Sequence, residues 1–153
     1  MEPRVVRYYS DKCIVCGVEN PSGFRTPFYS DGTRVWADLC APAHTRGFGG
    51  VVHGGLVTAI LDEAMFYAVY AGGTTTMTVH LNVTLRRPVP PEAPLRVEGW
   101  LAGDDRRYRV ARAALYGADG TLLAEGEGRF LRVPRLESHL QGTIVVEEVP
   151  TGR

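Results

Sequence analysis

The run from Gly54 to Ala71 constrains this chain more than any other stretch. Val57, Ile60, Leu61, Ala64 and Ala68 recur at helical spacing. Leu56, Phe66, Tyr67 and Val69 cover much of the remaining circumference. A helix apolar almost all round is a buried one, so the rest of the chain must wrap it. Its only charged residues are Asp62 and Glu63, and Gly72-Gly73 closes it as a C-cap.

After Gly73 the period changes to two. Met77, Val79, Leu81, Val83 and Leu85 alternate with Thr78, His80, Asn82, Thr84 and Arg86, which predicts a strand with the first set facing inward. Leu95 to Leu101, Tyr108 to Tyr116 and Thr121 to Val133 read as further strands, the last two joined at Ala118-Asp119-Gly120. Ahead of the helix, Phe24 to Tyr29 and Thr33 to Leu39 are strand-like. Asp31-Gly32 between them predicts a tight hairpin with positive φ at both positions. Gly126 and Gly128 share a face with Leu122, Ala124 and Phe130, which predicts close approach of the helix there. The expected architecture is α+β, with five or six antiparallel strands around one long central helix. Residues 1–23 are expected to form an arm, 24–133 the domain and 134–153 an irregular polar tail. One sheet face then lacks cover within the chain, and self-association supplies it most simply.

Seventeen basic and 17 acidic side chains balance, which argues against nucleic acid as a partner. No apolar run approaches the ~20 residues of a membrane helix, and Met1-Glu2-Pro3-Arg4 lacks the apolar stretch of a signal peptide. The expected compartment is the cytoplasm, where Cys13, Cys16 and Cys40 stay reduced. Cys13-x2-Cys16 with Cys40-x3-His44 has spacing that four zinc ligands could use, and a reduced, packed cysteine pair is the default.

The chemistry concentrates around Gly49-Gly50-Val51-Val52-His53-Gly54-Gly55 and Asp62-Glu63. Glycines at a helix start leave N–H groups bare, in the positive potential of the helix dipole. Such a group suits a developing oxyanion. Asp62, two turns on in apolar surroundings, suits base or nucleophile work because desolvation raises its pKa. Eight residues of helix separate Gly54 from Asp62, about 12 Å at ~1.5 Å per residue. One chain therefore cannot bring both to one carbonyl. Two antiparallel copies of the helix across a two-fold axis could, which predicts paired sites at a dimer interface. Four residues keep two readings. Glu63 is a structural partner for an arginine or shares the chemistry. His53 is a turn residue bonded to backbone or a base. Arg86 and Arg87 hold phosphate groups of a ligand or block extension of an edge strand.

The run His53-Gly54-Gly55-x6-Asp62 resembles the signature of hot-dog fold thioesterases, specifically the phenylacetyl-CoA thioesterase-like branch. Met77-Thr78-Val79-His80-Leu81-Asn82-Val83-Thr84-Leu85-Arg86-Arg87-Pro88-Val89-Pro90 is similar to that branch's next strand. Cys13-x2-Cys16-Gly17-x2-Asn20-Pro21-x-Gly23-Phe24 resembles an arm of one subgroup. The resemblance spans roughly residues 13–133. It implies hydrolysis of an aromatic or short- to medium-chain acyl-CoA in a homodimer or homotetramer, with no cofactor and no metal. By resemblance the Gly54 amide polarises the carbonyl, His53 shapes the turn, and Gly55 lies beside them. Asp62 of the neighbouring chain activates water or attacks the carbonyl. Thr78 matches a hydroxyl that assists the carboxylate, although strict alternation turns it away from the core. Many relatives carry Gln or Asn in the loop before His-Gly-Gly; here Arg46, or nothing, fills that role. Two alternatives stay open: a non-catalytic acyl-CoA binding module and a hot-dog hydratase or dehydratase.

Overall fold

The computed structural model describes residues 4–140 and 143–150. The elements, in chain order, are β1 (Val5–Ser10), β2 (Phe28–Ser30), β3 (Arg34–Cys40), α1 (Gly54–Ala71), β4 (Thr76–Leu85), β5 (Pro94–Asp105), β6 (Tyr108–Gly117), β7 (Leu122–Arg132), α2 (Leu136–Leu140) and β8 (Ile144–Val149). The strands form one antiparallel sheet in the order β4-β7-β6-β5-β3-β2-β1-β8, and α1 packs on one face of it. This is the hot-dog arrangement, with eight strands among the described residues. Tyr67, Ile60, Leu61 and Met65 of α1 are fully buried against Phe28, Val97, Leu115 and Phe130 of the sheet. Each side chain of that size contributes about 1.5–3 kcal/mol by leaving water. No helix among the described residues is long and apolar enough to cross a membrane.

The two additional strands come from segments expected to be arm and tail. β1 pairs with both β2 and β8. Arg7 forms an ion pair with Glu147, and the Tyr9 hydroxyl donates to the same carboxylate at 2.6 Å. The tail is thus not irregular throughout: Ile144–Val149 finds its partner strand at the other end of the chain.

Helix α1 has the bounds its periodicity predicts. A stripe along it, through Gly55, Thr58, Ala59, Asp62, Phe66 and Tyr70, is left half-covered or exposed. The β2–β3 turn differs from expectation. Gly32 has φ 95° but Asp31 does not share the left-handed region. Asp31 instead accepts from the N–H groups of Thr33 and Arg34 at 2.9 and 2.8 Å, closing a longer loop with its side chain.

Strand β4 carries the most consequential departure. Met77 and Val79, expected inside, are each 49% exposed, and Leu85 is exposed as well. For Met77 and Val79 a bulge is the cause, whereas Leu85 lies at the strand's end beside the groove at Gly54. Thr78 pairs with Phe130 and His80 with Arg129, so Val79 is an extra residue in the ladder. Before it, Thr76 and Thr78 point toward the helix; after it, Leu81 and Val83 do. One inserted residue exchanges the two faces.

The glycine that admits the helix is also a different one. A Cβ on Gly128 would meet the Phe130 ring at 2.8 Å, and one on Gly126 would meet Val83 at 3.1 Å, both side chains of the sheet. On β5, a Cβ on Gly99 would lie 2.5 Å from the Ala64 carbonyl oxygen of α1. A backbone atom cannot swing aside, so the helix would have to lift. Gly99→Val is expected to cost about 3 kcal/mol, the upper end of what overpacking usually costs, read as a lower urea midpoint. An unchanged midpoint would contradict this placement of the helix.

Candidate active site

His53 stands at the N-cap of α1, with its backbone extended (φ −56°, ψ 131°). Its Nδ1 accepts from the Gly55 N–H at 2.9 Å, and its carbonyl accepts from Leu56 and Val57. The imidazole is engaged in shaping the turn. Gly55 is engaged with it, whereas the Gly54 N–H comes first in the helix and has no intrahelical acceptor. Gly54 borders a groove of about 290 Å³ together with Val57, Leu85, Arg86, Arg87 and Val89. Arg86 is paired at 2.9 Å with Glu125 at the groove's edge. Arg46 is exposed and bonded to the Ala43 carbonyl at 2.8 Å, outside that groove's lining.

Asp62 lies two turns further along the open stripe of α1. The bulge at Val79 turns Thr78 toward it, and Thr78 Oγ1 donates to Asp62 Oδ1 at 2.7 Å. Alternation alone pointed Thr78 the other way; the extra residue reverses that. Burial pushes the Asp62 carboxyl up from its ordinary value, while the Thr78 hydrogen bond works in the opposite direction. Asp62 and Thr78 line a second cavity, of about 280 Å³, with Phe66, Tyr67, Leu140 and Ile144 among its walls.

Glu63 faces the same cavity, and its neighbours are not the expected arginine. Cys13 Sγ donates to Glu63 Oε2 at 3.0 Å, and Cys16 Sγ lies 3.7 Å from Oε1. Burial pushes the Glu63 carboxyl well above the usual carboxylate range, and the neighbouring Cys13 and Asp62 add to it. Cys40 and His44 do not join this group: Cys40 is exposed at the end of β3, and His44 Nε2 contacts the Ser22 carbonyl at 2.9 Å. Cys13, Cys16, Cys40 and His44, whose spacing four zinc ligands could have used, are therefore not assembled into one site.

The candidate residues thus divide between the two ends of the helix. Asp62, Glu63 and Thr78 border one cavity, while Gly54, Arg86 and Arg87 border the other. Sequence reasoning missed Tyr67, Ser10, Thr143 and Ile144 at the first cavity. Tyr67 looked like a packing residue, and the others come from segments taken as arm and tail.

The comparisons with known proteins agree with this fold. The family model described as "Thioesterase superfamily" matches residues 49–124. This match and the solved structures below support membership of that superfamily. Among solved structures, one described as a thioesterase superfamily protein shares 30% identity at a TM-score of 0.72, covering 78% of this chain; the chain spans only 59% of that protein's length. The E. coli PaaI protein from the phenylacetic acid degradation operon matches with TM-score 0.66, 15% identity and coverage of 72% and 80% of the two chains. A hypothetical thioesterase of Streptococcus pneumoniae, solved with coenzyme A, matches with TM-score 0.63, 14% identity and coverage of 66% and 82%. Mutants of that protein are also solved, one with an aspartate and one with a threonine replaced by alanine, at positions sixteen apart. No curated protein matches the chain.

Proposed function

We propose that this chain hydrolyses the thioester of an aromatic or short- to medium-chain acyl-CoA, as a homo-oligomer of the phenylacetyl-CoA thioesterase-like kind. The observation that carries this is the Asp62–Thr78 pair, set at a cavity on the open stripe of α1. Asp62 and Thr78 are sixteen residues apart, the separation of the two mutated residues in the streptococcal thioesterase.

In this proposal a second copy covers the stripe, its helix antiparallel, and brings its Gly54 to the first copy's Asp62. The free edge of β4 and its exposed Met77, Val79 and Leu85 support such a covering. So does Phe48, 99% exposed in the loop before the helix. The Gly54 N–H binds the thioester oxygen. Thr78 occupies Asp62 Oδ1, which leaves Oδ2 to take a proton from water as the water oxygen attacks the carbonyl carbon. Negative charge gathers on the carbonyl oxygen beside the Gly54 N–H. Collapse of that intermediate breaks the carbon–sulfur bond. Coenzyme A leaves as a thiolate and takes up the proton held by Asp62, and the acid departs. His53 keeps the Gly54–Gly55 turn in shape. Arg86 and Arg87, beside Gly54, suit the phosphates of coenzyme A. A cavity of about 280 Å³ walled by Phe66, Leu140 and Ile144 suits a compact acyl group.

Release of free thiol from a panel of aromatic and short- to medium-chain acyl-CoAs tests the proposal. Turnover of at least one panel member without added cofactor is expected. Tight acyl-CoA binding with no turnover would indicate a binding module, and consumption of an enoyl-CoA without thiol release a hydratase. Either result would displace the thioesterase assignment.

A further inference from the structure

Cys13, Cys16 and Glu63 make up a cluster that hydrolysis does not use. Cys13 Sγ, Cys16 Sγ and a Glu63 oxygen all lie within 4.8 Å of one another. The arm presents both sulfurs from one tight turn. Gly17 N–H donates to the Cys13 carbonyl at 2.9 Å, and a Cβ on Gly17 would sit 2.3 Å from that oxygen, so the turn requires glycine. Hydrogen-bond donors surround the sulfurs. The Val15 N–H donates to Cys13 Sγ at 3.4 Å, and the Tyr67 hydroxyl lies 3.1 Å from Cys16 Sγ. Such donors steady a sulfur that has become a metal ligand. No ion pair among the described residues supplies Glu63 with an arginine or lysine. Three groups that can each carry negative charge therefore converge in a largely apolar place without a positive partner. Charges in such a place are paired, or bind a metal.

We infer that Cys13, Cys16 and Glu63 bind one thiophilic divalent cation of the zinc type, clamping the arm onto helix α1. Two sulfurs and a carboxylate oxygen are zinc donors, and three of them leave the fourth tetrahedral position to a water in the adjoining cavity. Binding displaces the protons that the two thiols and the carboxylate share when no metal is present. This is a different set from Cys13, Cys16, Cys40 and His44, because Glu63 takes the place that the exposed Cys40 and His44 do not fill. The inference does not depend on the thioesterase assignment.

The test is titration of chelator-treated, reduced full-length protein with cobalt(II). One equivalent per chain is expected, with thiolate-to-cobalt charge-transfer absorption in the near ultraviolet, and zinc is expected to displace it. Cys13→Ser and Cys16→Ser should each abolish that absorption. Glu63→Gln should weaken binding at least about tenfold, and Cys40→Ser should leave it unchanged. Cys13 is only partly buried, so Cys13→Ser keeps the test sound if Cys16→Ser fails to fold. In parallel, bound zinc should protect two of the three cysteines from a thiol reagent until a chelator is added. Absence of the charge-transfer band in the wild type, or its persistence in folded Cys13→Ser, would overturn the inference. All of these readouts are independent of thioester hydrolysis.

Discussion

Asp62→Asn is expected to lower kcat for acyl-CoA hydrolysis by about 10²–10⁴-fold, the range that a positioned general base contributes. Asparagine has nearly the shape of aspartate, and its amide oxygen can still accept from Thr78 Oγ1, which donates to Oδ1 at 2.7 Å in the native chain. What it loses is the second oxygen's ability to take a proton. Burial already opposes charge at this position. The neutral substitute should therefore leave the thermal midpoint unchanged or raise it. Substrate affinity should change little, because the loss falls on the step in which water is deprotonated. Steady-state kinetics beside a melting curve separates these effects. Wild-type kcat in a well-folded Asp62→Asn protein would remove Asp62 from the mechanism.

Gly54→Pro is expected to cost about 10²–10³-fold in kcat, the effect of deleting one oxyanion donor. Proline is chosen because it removes the N–H without ending the helix. Gly54 is the first residue of α1, a position where proline is favoured and its absent N–H breaks no helical hydrogen bond. The residue before a proline must be extended, and His53 already is, with φ −56° and ψ 131°. A Cβ at Gly54 would meet Leu85 Cδ1, the movable end of a side chain, at 2.9 Å. The variant should keep its helical circular dichroism and its oligomeric state while turnover falls. A folded Gly54→Pro protein with full activity would mean that the carbonyl is polarised elsewhere.

How far the fold was legible can be judged element by element. Helix α1 was legible because eighteen residues of helical periodicity end at two glycines, a signal contained in local sequence. The separation of Gly54 from Asp62 was equally legible, since it follows from helix rise alone. The face of Thr78 was not. A bulge inserts one residue into the ladder with β7, and nothing in the alternating string from Met77 to Leu85 marks where the insertion falls. Strands β1 and β8 were missed for a related reason: their pairing joins the two ends of the chain, and each is only six residues long. The neighbours of Glu63 were beyond local reasoning too. They depend on where the arm lies once β1 has joined the sheet, which places Cys13 and Cys16 beside a helix some fifty residues away. Gly99, by contrast, could have been read. It shares a face with Leu95 and Val97, so a glycine there signals an approaching backbone as plainly as Gly126 and Gly128 seemed to.

In the proposed enzyme each site joins Asp62 of one copy to Gly54 of another. The most direct measurement is the activity of a mixed oligomer in which one chain carries Asp62→Asn and the other Gly54→Pro, isolated by two different affinity tags. Each parent alone has a defect at every site. In the mixed dimer, one of the two sites combines both intact groups and the other has neither. Recovery to roughly half the wild-type activity per dimer is predicted from that symmetry. Activity that stays at the level of the parents, in mixed oligomers shown to be assembled, would contradict a site shared between chains.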